Sequence, residues 1–318
     1  MALAPCEVVE KVEMMKDNSN ESIHESDRFK KRSVVVHFGG GLGNQLFNYA
    51  TGLHLARKTG RHLVKDPSEY LMIWNRRYDL DAFDGPAKTP RRGPFMTCVF
   101  LAWRVMQQLR FSGAAGFLHL FGVEWRHSPG VGIDAEFAKT VNGEFSKSSR
   151  RTLLLSGCSQ DLRSLVSREE ARKVFSPVKP VDFNPGPQSV SLHVRRGDYL
   201  DCKWALGDEY YRNAVRRMQG FVKNPKWFVF SDDIEWCRTV YGEIGDVEFV
   251  EGDVEHPWKD LVKMSRCQHH IIANSTFSWW AAYLSDKGGL TIYPDPWLKG
   301  VPSVKGVLVP EDWLPCNY

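Results

Sequence analysis

Hydrophobic and polar positions follow two rhythms along the chain. Residues 33–38, Ser-Val-Val-Val-His-Phe, form a short β-rich run that flows into Gly39-Gly40-Gly41-Leu42-Gly43, after which apolar residues recur at Leu46, Tyr49, Ala50, Leu53 and Ala56. That order predicts strand, tight turn and helix. Gly60 ends the helix, and residues 62–64 return as a second, parallel strand in the manner of a βαβ unit. Residues 70–150 hold no clean period, and Pro86, Pro90, Pro94 and Pro129 cut them into loops and short helices. A buried strand is predicted at 152–155 and a helix near 161–166.

Four prolines and Gly186 lie between Pro177 and Pro187, a linker composition that places a domain boundary there. Beyond it, strands at 190–194, 227–230, 247–250, 271–273 and 290–293 alternate with helices. One helix carries Tyr211, Val215, Met218 and Val222 on a single face; others follow Asp232-Asp233, lie around 260–267 and begin at Ser278. Such alternation predicts an α/β protein with parallel sheets flanked by helices. The expected organisation is an arm at 1–32, a first lobe at 33–178 and a second at 188–318. The arm has no apolar rhythm and reads as flexible and solvated.

Composition narrows the classes. The length of 318 residues is ample for two domains, and 42% hydrophobic with 12% aromatic residues is the make-up of a packed protein. A net charge of +4, with basic residues scattered rather than striped, argues against nucleic acid and for a small anionic ligand. The seven cysteines (Cys6, Cys98, Cys158, Cys202, Cys237, Cys267 and Cys316) show neither paired nor zinc-ligand spacing, so most read as reduced thiols. The greasy stretch 96–123 is interrupted by Arg104, Gln107, Gln108, Arg110 and Ser112, which favours an internal helical pair over a membrane span.

Ligands of open parallel sheets sit beyond the carboxyl ends of the strands, and the polar motifs fall there. His193-Val194-Arg195-Arg196-Gly197-Asp198-Tyr199 follows the first strand of the second half; its guanidinium forks suit phosphate oxygens, the plainer alternative being a structural Arg–Asp pair. Asn274-Ser275-Thr276-Phe277-Ser278 leads from a strand into a helix and is an anion site or an ordinary N-cap. Ser231, Asp232 and Asp260 precede or open helices, where their side chains either accept from a ribose or base or simply cap. The turn at Gly39–Gly43 lacks the dinucleotide glycine spacing and the P-loop lysine, leaving tight packing, or sugar binding by Asn44 and Gln45, as its uses.

Taken in order, GGGLGNQLFNYATGLHLARKTGR, SLHVRRGDYL, FVFSDDIEWC and CQHHIIANSTFSWWAAYLS resemble the alpha-1,2-fucosyltransferases of glycosyltransferase family 11, in a form closer to the soluble bacterial type than to the membrane-anchored animal one. The resemblance covers residues 34–60 and about 190–297. It implies a GT-B-like fold of two Rossmann-like lobes facing across a cleft. It also implies metal-independent, inverting transfer of L-fucose from GDP-L-fucose to a glycan acceptor, the 2-OH of a galactose, with no cofactor and no nucleic acid. Carried over by motif, Arg195 binds the diphosphate with Arg196 and His193 completing the site. Asn274, Ser275, Thr276, Phe277 and Ser278 line the phosphates or nucleoside, Ser231, Asp232 and Asp260 the ribose or base, and Gly43, Asn44 and Gln45 the acceptor side. Asp198 is the residue offered as catalytic base or as the anchor of the arginines. Residues 157–160 match the family only loosely, and 70–150 carry no matching motif. With no anchor in view, the expected compartment is the cytoplasm. Two other classes stay open: a glycan-binding module using some of the eleven tryptophans, and a nicotinamide-dependent oxidoreductase using the glycine turn and Asp66.

Overall fold

The computed structural model describes residues 32–71, 76–91, 93–108, 114–128, 135–157 and 160–318, so all but the last residue of the predicted arm lies outside the description. Strand β1 (Ser33–His37) passes through the glycine turn into helix α1 (Leu42–Thr59) and returns as β2 (His62–Asp66). Helices α2 (Asp84–Lys88), α3 (Pro94–Gln108) and α4 (Ala114–Leu120) lead to β3 (Val123–Ser128); α5 (Ala135–Asn142) and α6 (Glu144–Lys147) lead to β4 (Thr152–Gly157). These four strands form a parallel sheet in the order β2-β1-β4-β3.

After α7 (Arg168–Val174), residues 175–188 carry no helix or strand and pass to the second sheet. It comprises β5 (Ser189–Val194), β6 (Lys226–Ser231), β7 (Val247–Phe249), β8 (His269–Ile271), β9 (Thr291–Pro294) and β10 (Leu314–Cys316), all parallel, ordered β10-β9-β8-β5-β6-β7. Its helices are α8 (Gly197–Asp201), α9 (Asp208–Phe221), α10 (Ile234–Tyr241), α11 (Pro257–Arg266) and α12 (Thr276–Leu284). The central strands of both sheets are buried on both faces; β1 accordingly carries a continuous apolar run, whereas β5 alternates Val190, Leu192 and Val194 with the buried Ser189, Ser191 and His193.

Three readings of the sequence need correction. Residues 70–150 contain a six-residue strand and a fifteen-residue helix as well as loops. The helix expected near 161–166 is a 3₁₀ turn at Leu162–Ser164, capped by the Asp161 carboxylate, and the α-helix begins only at Arg168. Strand β8 and helix α12 begin two residues before the predicted positions.

The two halves share one apolar core. Phe47 of α1 packs on Trp279 and Trp280 of α12 at ring-centroid distances of 4.6 and 5.1 Å, and Phe175 lies 5.2 Å from Trp280. Both tryptophans are fully buried, each worth at most about 4–6 kcal/mol of transfer from water. The chain then returns from β9: Val304, Leu308, Val309 and Trp313 join the same cluster, Leu162 N–H donates to the Val307 carbonyl, and Trp279 Nε1 donates to the Leu308 carbonyl.

Candidate active site

The helices that leave β1 and β8, α1 and α12, meet at their first turns. A Cβ placed on Gly43 would lie 2.5 Å from the carbonyl carbon and hydroxyl oxygen of Thr276 and 2.6 Å from the Phe277 nitrogen. Only a residue without a side chain permits this contact. Thr276 Oγ1 donates to Asn44 Oδ1 across it at 3.0 Å. Ser275 caps α12 by accepting from Phe277 N–H, and neither helix has an acidic residue in its first turn. Each helix N-terminus carries roughly half a positive charge. Two such ends therefore meet with no carboxylate of their own to offset them, an arrangement that favours an anion.

Beside this junction the exit of β5 brings the arginines into play, in different ways. Arg195 reaches Asp198 Oδ1 at 2.6 Å and Asp232 Oδ2 at 3.0 Å, and its guanidinium lies 5.3 Å from the Tyr199 ring. Arg76, from the first half, reaches the other oxygen of Asp198 at 2.6 Å. Partial burial favours the neutral form of Asp198, but the Arg195 charge and the Arg76 hydrogen bond outweigh it and hold its carboxyl below the usual range. With both oxygens engaged by guanidinium groups, Asp198 is placed to anchor arginines. Arg196 turns away: its Nε donates to Asp233 and its guanidinium stacks on Trp236 at 3.8 Å. Its backbone N–H donates to Asp232 Oδ1, and Asp232 lies so close to Gly197 that a Cβ there would sit 2.5 Å from Oδ2.

Three buried polar atoms at the ends of β5 and β8 have no hydrogen-bond partner among the described residues: His193 Nδ1, Arg195 Nε and Asn274 Oδ1. Such groups are uncommon in folded proteins, and here the three lie together at strand exits, where a ligand could satisfy them. Burial, reinforced by Arg195, pushes His193 down to about 3, so it is a neutral ring and not a phosphate cation. It lies 5.9 Å from the Phe277 ring. Asn274 is fixed by donation from Nδ2 to the Trp204 carbonyl at 2.9 Å.

Other predicted residues stand further from an open face. Ser278 is buried and donates to the Ser275 carbonyl. Ser231 accepts from Asp233 N–H, and Asp260 accepts from Asp253 N–H at 3.0 Å while pairing with Lys263, which fixes the loop after β7. Gln45 is fully buried: its Nε2 donates to the Arg77 carbonyl at 2.9 Å and its Oε1 accepts from Asp79 N–H at 3.1 Å. Its amide thus positions the Arg76–Asp79 segment, and hence Arg76.

The sequence reading missed Arg76 and a charged group under the glycine turn. His37 and Asp66 end β1 and β2 and are register partners; His37 Nδ1 lies 2.7 Å from Asp66 Oδ2 and Nε2 lies 3.0 Å from Glu69 Oε2. Burial lowers the His37 basicity, but the two carboxylates more than compensate, and the net shift is upward. The usable signal was a histidine at the end of an apolar strand with an aspartate ending its neighbour. Among the described residues, no group of three or more His, Cys, Asp and Glu is placed to hold a metal ion, and no helix is long and apolar enough to cross a membrane.

Comparison with known proteins places this arrangement. The profile of Glycosyl transferase family 11 matches residues 165–301. An alpha-1,2-colitosyltransferase of Escherichia coli is 30% identical over 303 residues, covering 88% of this chain and 98% of its own length. The Pan troglodytes galactoside alpha-(1,2)-fucosyltransferase 1 is 27% identical over 329 residues, covering 95% and 80% respectively. Arabidopsis thaliana FUT1, solved with GDP, superposes with a TM-score of 0.56 over 92% of this chain and 81% of its own, at 13% identity, a likeness of fold that matches the two parallel α/β sheets of a GT-B arrangement. With its glycine junction, its β5 arginine and nearly the whole length of the bacterial relative spanned, the chain belongs to glycosyl transferase family 11.

Proposed function

We propose that the chain transfers L-fucose from GDP-L-fucose to a hydroxyl of a glycan, the 2-OH of a galactose, with inversion and without a metal. The observation that carries the reading is the meeting of two helix N-termini, lacking acidic residues in their first turns, beside Arg195. That is a site for a multiply charged anion such as a diphosphate. The alpha-1,2-fucosyltransferase among the relatives supports the donor sugar and the linkage. The relative from Escherichia coli moves colitose by its name, so a colitosyl donor is the second reading.

In this mechanism the diphosphate lies between the α12 N-terminus and Arg195, whose orientation is set by Asp198 and Asp232. His193 Nδ1 and Asn274 Oδ1 supply a neutral acceptor or donor and an acceptor inside the same site. As the bond from the anomeric carbon to the diphosphate breaks, negative charge grows on the leaving oxygen and the fixed guanidinium and helix-end dipoles stabilise it without reorganising. The acceptor hydroxyl attacks in line from the first half, giving inversion. Loss of one such contact raises the barrier by about 2.7–4 kcal/mol.

Calorimetry of GDP and GDP-fucose binding in EDTA, with parent and Arg195→Ala, tests the donor site. Metal-free binding weakened at least tenfold by the substitution, roughly 1.4 kcal/mol, supports it. A folded parent that binds no GDP refutes it, and transfer from a colitosyl donor alone would select the second reading.

A further inference from the structure

We propose that Glu69 is the catalytic base, taking the proton of the attacking acceptor hydroxyl; this rests on the transfer reaction proposed above. Its placement is the reason. Gly39, Gly40 and Gly41 cross the carboxyl end of β1, and the two sides of this turn face different groups. A Cβ on Gly39 would meet Glu69 Oε1 at 3.0 Å, and one on Gly41 would meet Arg76 Nη1 at 3.8 Å. Consecutive Cα atoms are ~3.8 Å apart, so Gly39 and Gly41 are separated by at most ~7 Å. Arg76 in turn bonds the Asp198 that holds Arg195. Glu69 therefore stands at one end of the turn whose other end faces Arg76, the residue that reaches across to Asp198.

Among the described residues, the carboxylate is held through Oε2. Oε2 receives His37 Nε2 at 3.0 Å and Arg104 at 3.2 Å, and His37 is fixed from behind by Asp66. Oε1 is the oxygen turned towards Gly39, and the side chain is 20% exposed. Asp198 differs, because guanidinium groups occupy both of its oxygens. Burial favours the neutral form of Glu69, but the His37 hydrogen bond and the Arg104 charge prevail and lower its pKa, so it rests ionised. Low basicity suffices here: the hydroxyl becomes acidic as its oxygen bonds to the electron-poor anomeric carbon. In the step, the bond from acceptor oxygen to the anomeric carbon forms, the bond from that carbon to the diphosphate breaks with its electron pair leaving on GDP, and the hydroxyl proton passes to Glu69 Oε1. The partly exposed carboxyl then releases it to solvent.

Two variants test the assignment against a parent first shown to transfer fucose. Glu69→Gln keeps the shape and the contact to His37 but removes the basic oxygen; kcat is expected to fall at least about 100-fold while the GDP dissociation constant stays within about twofold. Gly39→Ala leaves the charged group intact and needs no positive φ, but its methyl presses on Oε1; kcat is expected to fall at least about tenfold with GDP binding again kept. A Glu69→Gln enzyme turning over within about threefold of the parent overturns the assignment. So does a joint loss of GDP affinity and melting temperature in both variants, which would make Glu69 a structural residue. A parent that binds GDP yet transfers fucose to no acceptor removes the reaction itself, and the assignment with it.

Discussion

Gly43→Ala sets two well-measured effects against each other. Gly43 is the second residue of helix α1. Helix propensity alone makes alanine there more stable by about 0.5–1 kcal/mol. The structure demands the opposite sign, because the added Cβ would lie 2.5–2.6 Å from the Thr276 carbonyl carbon, the Thr276 hydroxyl and the Phe277 nitrogen. Ordinary contact begins near 3.4–4 Å, so α1 and α12 must part by about 1 Å. Two of the three obstructing atoms are backbone, so no rotamer change relieves the contact. Overpacking of this kind costs about 1–3 kcal/mol, which exceeds the propensity gain. The net loss, roughly 0–2.5 kcal/mol, corresponds to a fall in Tm of up to about 10 °C for a chain of this size. The same displacement separates the two helix N-termini that meet at the anion site, and a misplacement of about 1 Å can cost about 100-fold in rate. Differential scanning calorimetry and the rate of fucosyl transfer measure both. An alanine variant that melts higher than the parent and retains its activity would falsify the close contact and its role in assembling the anion site.

Two more substitutions probe other parts of the molecule. Asp198→Asn removes the carboxylate shared by Arg76 and Arg195; because that carboxyl is held below its ordinary value, its contribution to stability is complete above roughly pH 4 and is lost only as pH falls through the depressed value. The Tm difference between parent and variant should therefore be flat from about pH 8 to pH 5, and a difference that decays across that interval would contradict the double pairing. Thr51→Val replaces a buried hydroxyl that has no hydrogen-bond partner among the described residues, beside the equally unpartnered Asn48 Nδ2 in a small cavity also lined by Val36, Phe137, Leu155 and Ser156. It should stabilise by about 1 kcal/mol, raising Tm by roughly 2–4 °C, and a clear loss of stability would mean the hydroxyl is bonded.

The legible parts of the fold were those in which one physical pattern dominates. Strands β1 and β6 hold runs of buried apolar residues, Val34 to Val36 and Trp227 to Phe230, and β5 repeats Val190, Leu192 and Val194 at every second position. Strand β3, Val-Glu-Trp-Arg-His-Ser, is an edge strand with partly exposed positions, and β10 contains a proline; neither announces itself by hydrophobicity. The motifs around Arg195 and Thr276 were found because polar residues at strand exits are conspicuous. Which of two adjacent arginines faces the site was not legible, since the choice depends on Trp236, forty residues away in sequence. Gly43 and Gln45 were read as possible sugar contacts because sequence shows a small or polar residue but not what approaches it. Glu69 escaped notice because its significance comes from His37, which sits within an apolar strand 32 residues earlier.

The return of residues 304–313 to the core beneath α1 and α12 also bears on how the chain is made. Leu162 in the first half and Trp279 in the second both bond to backbone carbonyls of this late segment. Synthesis proceeds from the N-terminus at roughly 5–20 residues per second, so roughly 7–30 seconds separate the emergence of β4 from that of its final cover. During that interval the first half has its sheet but an incomplete apolar seal, and Phe47 and Phe175 have no tryptophans to meet. Until then the aromatic face of the first half lies open to solvent, and transiently exposed apolar surface of this kind is prone to aggregation.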